Sequence, residues 1–121
     1  MPRINSSLAP GQPLTPAVYH ILLALVDGDK HGYGIMKDVE TQTSGRLKLG
    51  PGTLYGTIKR LLAAGLIAEI DERPDPTLGD ERRRYYHLTT LGQQLAVQEN
   101  QRLTQAVNVA RQKRLLDNPL S

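Results

Sequence analysis

The apolar positions of this chain change their spacing along its length, and the changes mark out its elements. From Thr15 the spacing is helical: Ile21, Leu22, Leu25 and Val26 form a nearly all-round apolar surface, which predicts a buried helix running to about Asp27. Thr15-Pro16 opens it with a side-chain cap followed by proline at the first helical position. A second helix is predicted over residues 33–43, with Ile35, Met36 and Val39 inward and Gly45 as its C-terminal stop. A third runs from Pro51 to about Ala64, with Leu54, Ile58, Leu61, Leu62 and Leu66 on one stripe and Gly65 just past its end. The spacing then alternates. Ile67 to Glu72 reads as a strand, "RPDPTLGD" as a connector, and Arg84 to Leu88 as a returning strand. Helical spacing resumes after Thr89 or Thr90, with Thr90-x-x-Gln93 fitting a capping box, and continues to about Leu116.

Helix, helix, helix, hairpin, long helix is the order of a winged helix-turn-helix. The predicted fold is mainly α with a small β-hairpin, followed by a long C-terminal helix. Residues 1–14, rich in Pro, Ser and Gly, are expected to form a flexible arm; 15–88 the winged domain; 89–116 the terminal helix; 117–121 a tail. Along that last helix Leu91, Leu95, Leu103, Ala106, Val107 and Ala110 recur every three or four residues, which suits a dimer seam; Leu22 is placed with them. Its polar middle holds Gln98, Gln101 and Arg102, which can specify register or line a cavity for an effector between subunits.

The third helix carries poor helix formers at its head: Gly50, Pro51 and Gly52, with Gly56 inside. A head without β-carbons lets something come close to the backbone. A helix N-terminus with free amides favours phosphate, and in a winged helix this end enters the major groove. Thr53, Tyr55 and Thr57 add hydroxyls there, and Lys48, Lys59 and Arg60 add charge.

Charge supports the same reading. The 121 residues carry a net charge of +3, but no acidic residue stands between Glu40 and Glu69, and Arg82, Arg83 and Arg84 form a second basic cluster. Cysteine is absent, so neither disulfides nor thiolate metal sites are expected. His20, His31 and His87 lack metal-ligand spacing, no nucleophile–base set stands out, and no cofactor is expected. Nothing resembles a membrane span or a signal peptide, and a cytoplasmic location is the expectation.

"HGYGIMKDVE" (residues 31–40), "GPGTLYGTIKRLLAAGLI" (50–67) and "RRRYYHLTTLG" (82–92), in this order, resemble the PadR family of bacterial transcriptional regulators. The resemblance implies a homodimer of winged helix-turn-helix subunits that represses nearby genes, with the last helix dimerising, as in the shorter subfamily. It places Pro51, Gly52, Thr53, Leu54 and Tyr55 on the DNA-reading helix, Arg82 to Arg84 on the wing, and Tyr33 at the start of the helix that crosses the DNA backbone. The expected partners are double-stranded DNA and a second copy of the chain; a small-molecule effector is left open. Gly50 departs from the polar cap usual there. The absence of aromatics after Leu88 argues against stacking of a flat drug on the last helix.

Two other readings compete. A winged helix can serve protein contact alone, without DNA. The run "LKLGPGTLYG", a helix and "LIAEID", with Asp71 about 20 residues past Gly50, also mimics a dinucleotide fingerprint. Lys48 in the short leading strand, Pro51 between the glycines and the lack of further strand–helix units oppose it.

Overall fold

The computed structural model describes residue 8, residues 11–74 and residues 82–115, with side chains for 8, 11–70 and 84–115. The rest of the expected arm, the centre of the hairpin connector and the tail lie outside the described residues.

α1 spans Pro16–Ala24, and the Thr15 side chain accepts the Val18 amide as its cap. The helix stops at Ala24 rather than near Asp27. Lys30 supplies the reason: its ammonium donates to the Ala24 carbonyl and pairs with Asp27 at 2.6 Å, folding Leu25–Asp27 into a turn. Val26 is consequently exposed, not buried.

α2, Gly32–Gln42, is capped by His31, whose Nδ1 accepts the Gly34 amide at 3.0 Å. Gly45 closes it at φ +80°, donating its amide to Glu40 O at 2.8 Å. α3 covers Pro51–Ala63 and buries Leu54, Ile58 and Leu61. It ends with Gly65 at φ +77° and the Leu66 amide donating to Leu61 O.

The sheet has three strands where two were expected. β1 (Lys30–His31) pairs antiparallel with β3 (Arg82–Leu88), which pairs antiparallel with β2 (Ile67–Pro74), giving the order β1-β3-β2. A register shift falls between Ile70 and Arg73. Tyr86, opposite both Lys30 and Glu69, is buried; burial, then the Glu69 carboxylate and the Tyr55 phenol, push its own phenol up. No regular structure precedes α3 at 47–50 and β2 runs antiparallel to its neighbour, so the parallel unit of a dinucleotide fold is not formed.

α4 spans Thr90–Gln112. Its cap is Thr89, which accepts the Gly92 amide at 3.0 Å; Thr90 is already helical, and the Thr90–Gln93 box does not form. The same Thr89 hydroxyl donates to Gly65 O at 2.7 Å, which ties the start of α4 to the turn after α3.

The core joins Ile21, Leu22, Ile35, Leu54, Ile58 and Leu66. Leu8 and Leu14 belong to it as well, which corrects the reading of 1–14 as wholly an arm. The Leu14 amide donates to Glu99 Oε1 at 3.0 Å across the chain. Leu22 is 0% and Leu95 4% exposed, so both expected interface residues belong to the core of their own subunit instead. A stripe of leucines reads the same from sequence whether a core or a partner covers it.

Candidate nucleic-acid interface

Side chains cap α1, α2 and α4, but not α3. Gly50 occupies its N-cap position with no side-chain hydrogen bond, and no acidic residue lies in its first turn. Gly50, Pro51, Gly52 and Thr53 are all exposed. A β-carbon added to Gly50, Gly52 or Gly56 would meet nothing within 4 Å. Packing therefore does not require these glycines. The head is an open, uncapped, positive helix end of the kind that holds anions.

The expected cations are spread along α3: Lys48 stands two residues before Gly50, whereas Lys59 and Arg60 lie towards the far end, Arg60 in the last turn. Lys48, Lys59 and Arg60 are exposed. Tyr33, at the first turn of α2, is exposed, with the Lys37 ammonium 5.6 Å above its ring. Lys37 was not among the residues expected here; it stands one helical turn after Tyr33 on the same face.

Thr57 is corrected. It is 3% exposed, and its hydroxyl donates to Thr53 O at 2.8 Å while accepting from Arg60 at 3.3 Å, so it serves its own helix and is not presented outward. Tyr55 is 48% exposed. The far end of its ring lies against Gly32 at the start of α2: a β-carbon there would stand 2.6 Å from Tyr55 Cζ.

In the wing, Arg84 pairs with Glu69 at 3.3 Å across the strands, the arginine side chain largely in solvent and the glutamate about one-third exposed. Such a solvent-screened pair adds little stability. The side chains of Arg82 and Arg83 lie outside the described residues. His87 pairs with Asp29 at 2.7 Å and joins the end of β3 to the turn before β1.

The last helix divides in two. Up to Glu99 it is held to the body. Glu99 is 5% exposed, accepts from Leu14 and forms an ion pair with Arg102. The Arg102 hydrogen bond holds its carboxyl below the usual range, with the Leu14 amide adding to this. Beyond it, residues 100–108 are exposed on every side, Leu103, Ala106 and Val107 included, and Ala110 is half-buried. Leu91 is exposed too. Gln98 and Arg102 line a cavity of about 50 Å3 with Leu95 and Glu99, room for a water only; Gln98 also borders an open groove of about 480 Å3 with Thr90, Gln93, Gln94 and Val97, and Gln101 is exposed and outside both. Among the described residues no cluster of His, Asp or Glu fits a metal ion, and no helix is long and apolar enough to cross a membrane.

The model of the transcriptional regulator PadR-like family matches residues 21–98. An uncharacterized 37.1 kDa protein of a Streptomyces fradiae transposon is 40% identical over 79 residues, covering 65% of this chain and 20% of that protein. The chain thus spans about a fifth of that curated relative. A PadR family transcription regulator from Clostridium difficile has a similar structure: TM-score 0.68, 26% identity, covering 81% of this chain and 97% of that one. Bacillus subtilis PadR, solved in complex with operator DNA, matches in fold with TM-score 0.57 and 22% identity over 71% of this chain and 45% of that one.

Proposed function

The chain belongs to the PadR-like family of transcriptional regulators, and from that premise we propose that it is a sequence-specific DNA-binding repressor acting as a homodimer on a near-palindromic operator. One observation carries the reading: α3 is the helix left without a side-chain cap, its glycine-rich head open and free of acidic residues. The other three helix starts are closed by Thr15, His31 and Thr89. An N-terminus whose amides the protein does not satisfy is stabilised when a phosphate does so.

Each element then has a task. Gly50, Gly52 and Thr53 bring the α3 backbone against the duplex, and Tyr55 stands beside them. Lys48, Lys59 and Arg60 neutralise flanking phosphates, Tyr33 meets the backbone from the start of α2, and Arg82, Arg83 and Arg84 of the wing reach phosphate or the minor groove. Leu91, Leu103, Ala106, Val107 and Ala110 pair two copies through α4, placing the two α3 heads about 34 Å apart, one turn of DNA. A small-molecule effector would bind between subunits beside Gln98, Gln101 and Arg102, in the polar middle of α4.

The test is fluorescence anisotropy with the duplex upstream of the protein's own gene against random duplex, over a salt series. The expected result is tighter binding to the upstream duplex by about 10³ or more, with a steep salt slope. No binding to either at low salt would instead favour a winged helix used for protein contact.

A further inference from the structure

Gly32 is the first residue of α2, and its backbone is not in the left-handed region that calls for glycine. What calls for glycine is space. A β-carbon there would stand 2.6 Å from Tyr55 Cζ and 2.8 Å from Cε1, and nearer still to the phenol oxygen. Carbons do not approach this closely, so any side chain at 32 must displace the ring. The three nearest atoms all belong to the far end of Tyr55 and none to backbone, so the ring can swing away while the fold stays.

The ring held in this notch is not core. It is about half exposed, and the buried stripe of α3 is formed by Leu54, Ile58 and Leu61. Its phenol bridges the start of α2 to α3, whose first turn is open and free of acidic residues, and it reaches the neighbourhood of Tyr86 in β3. This aromatic is seated in a glycine notch of another helix while half of it stays in solvent. It gains a fixed position for its ring and hydroxyl.

We infer that Gly32 is a positioning residue for DNA contact: by lacking a β-carbon it seats the Tyr55 phenol between the starts of α2 and α3 and so sets the surface both present to a duplex. This rests on the DNA-binding reading above. The glycine of "HGYG" and the tyrosine of "PGTLY" are then two halves of one device.

A double-mutant cycle on the full chain tests it: Gly32→Ala, Tyr55→Ala and the pair, each measured by anisotropy with a random-sequence duplex at low salt, and each melted alone. A random duplex is used because a phosphate contact does not depend on the operator. Gly32→Ala is expected to bind about tenfold more weakly, with an unchanged salt slope because the phenol carries no charge, and an unchanged melting midpoint. In the Tyr55→Ala background, Gly32→Ala should cost little more. Equal losses in both backgrounds, or unchanged binding by Gly32→Ala, would overturn the inference. Should Gly32→Ala melt far below the parent, Tyr55→Ala carries the test by emptying the notch. It too should bind about tenfold more weakly with its slope unchanged, and unchanged binding overturns the inference. Failure of the unmodified protein to bind any duplex removes the DNA reading itself, and this inference with it.

Discussion

At the tail of α3, backbone is tied to backbone. The Leu66 amide closes the helix onto Leu61 O at 3.0 Å, the Thr89 amide donates to Leu66 O at 3.2 Å, and the Thr89 hydroxyl holds Gly65 O at 2.7 Å. Gly92 lies so close that a β-carbon would overlap the Leu66 carbonyl oxygen and stand 3.0 Å from its carbon. At the head of the same helix the first turn is open: no side chain caps Gly50, and β-carbons at 50, 52 and 56 would meet open space. Glycine thus does opposite work at the two ends. Near the tail it allows a close approach within the subunit, which couples α3 to the start of α4. At the head it leaves room for something the subunit does not contain. A helix that must carry its orientation from one partner to another gains from being rigid where it joins the frame and unsatisfied where it meets the ligand.

The comparison breaks most readily at Gly92. Gly92→Ala pushes a methyl against a backbone carbonyl that cannot swing aside, and is expected to destabilise by about 3 kcal/mol, read by chemical denaturation. If it proves as mild as a change in the open head, the seam is not rigid.

Glu99 sharpens the comparison further along α4, where it secures the helix to the chain before α1. Its carboxyl is held down by Arg102 and by the Leu14 amide. A group whose folded value lies below its unfolded one adds stability that is present above the unfolded value, 4.5 for this carboxyl, and fades as pH falls through the lower folded value. Glu99→Gln should therefore cost about 1–2 kcal/mol at neutral pH and show a shallower loss of stability on acidification. An identical acid profile in parent and variant would mean that Arg102 does not hold the carboxylate.

The helix boundaries were largely legible in sequence because caps and stops are local chemistry: Thr15-Pro16, Gly45 and Gly65 act within a turn of themselves. The contacts between distant segments were not. β1 has two residues, too few to show a period, and it exists because β3 accepts it. Thr57 looked like one more hydroxyl near the head, yet the buried stripe of α3 claims it and Thr53 O satisfies it. Leu22 and Leu95 lie on stripes that face their own subunit, whereas Leu103 and Val107 lie on the part of α4 that extends past it; only the position of the Glu99 anchor separates the two cases. Both halves of the Gly32–Tyr55 notch sit in visible motifs, but the contact between them is a fact of packing.

The central claim is that the head of α3 is left uncapped for an anion from outside, and Gly50→Asp tests it most directly. Aspartate at this position caps the free amides and is expected to raise stability by about 0.5–1 kcal/mol, read by thermal melting. The same carboxylate would occupy the phosphate's place, so anisotropy on duplex DNA should show binding reduced by about tenfold or more. A higher melting midpoint with weakened duplex binding is the predicted result. A higher midpoint with duplex binding unchanged would contradict the account, because the head would then be capped and DNA indifferent to it.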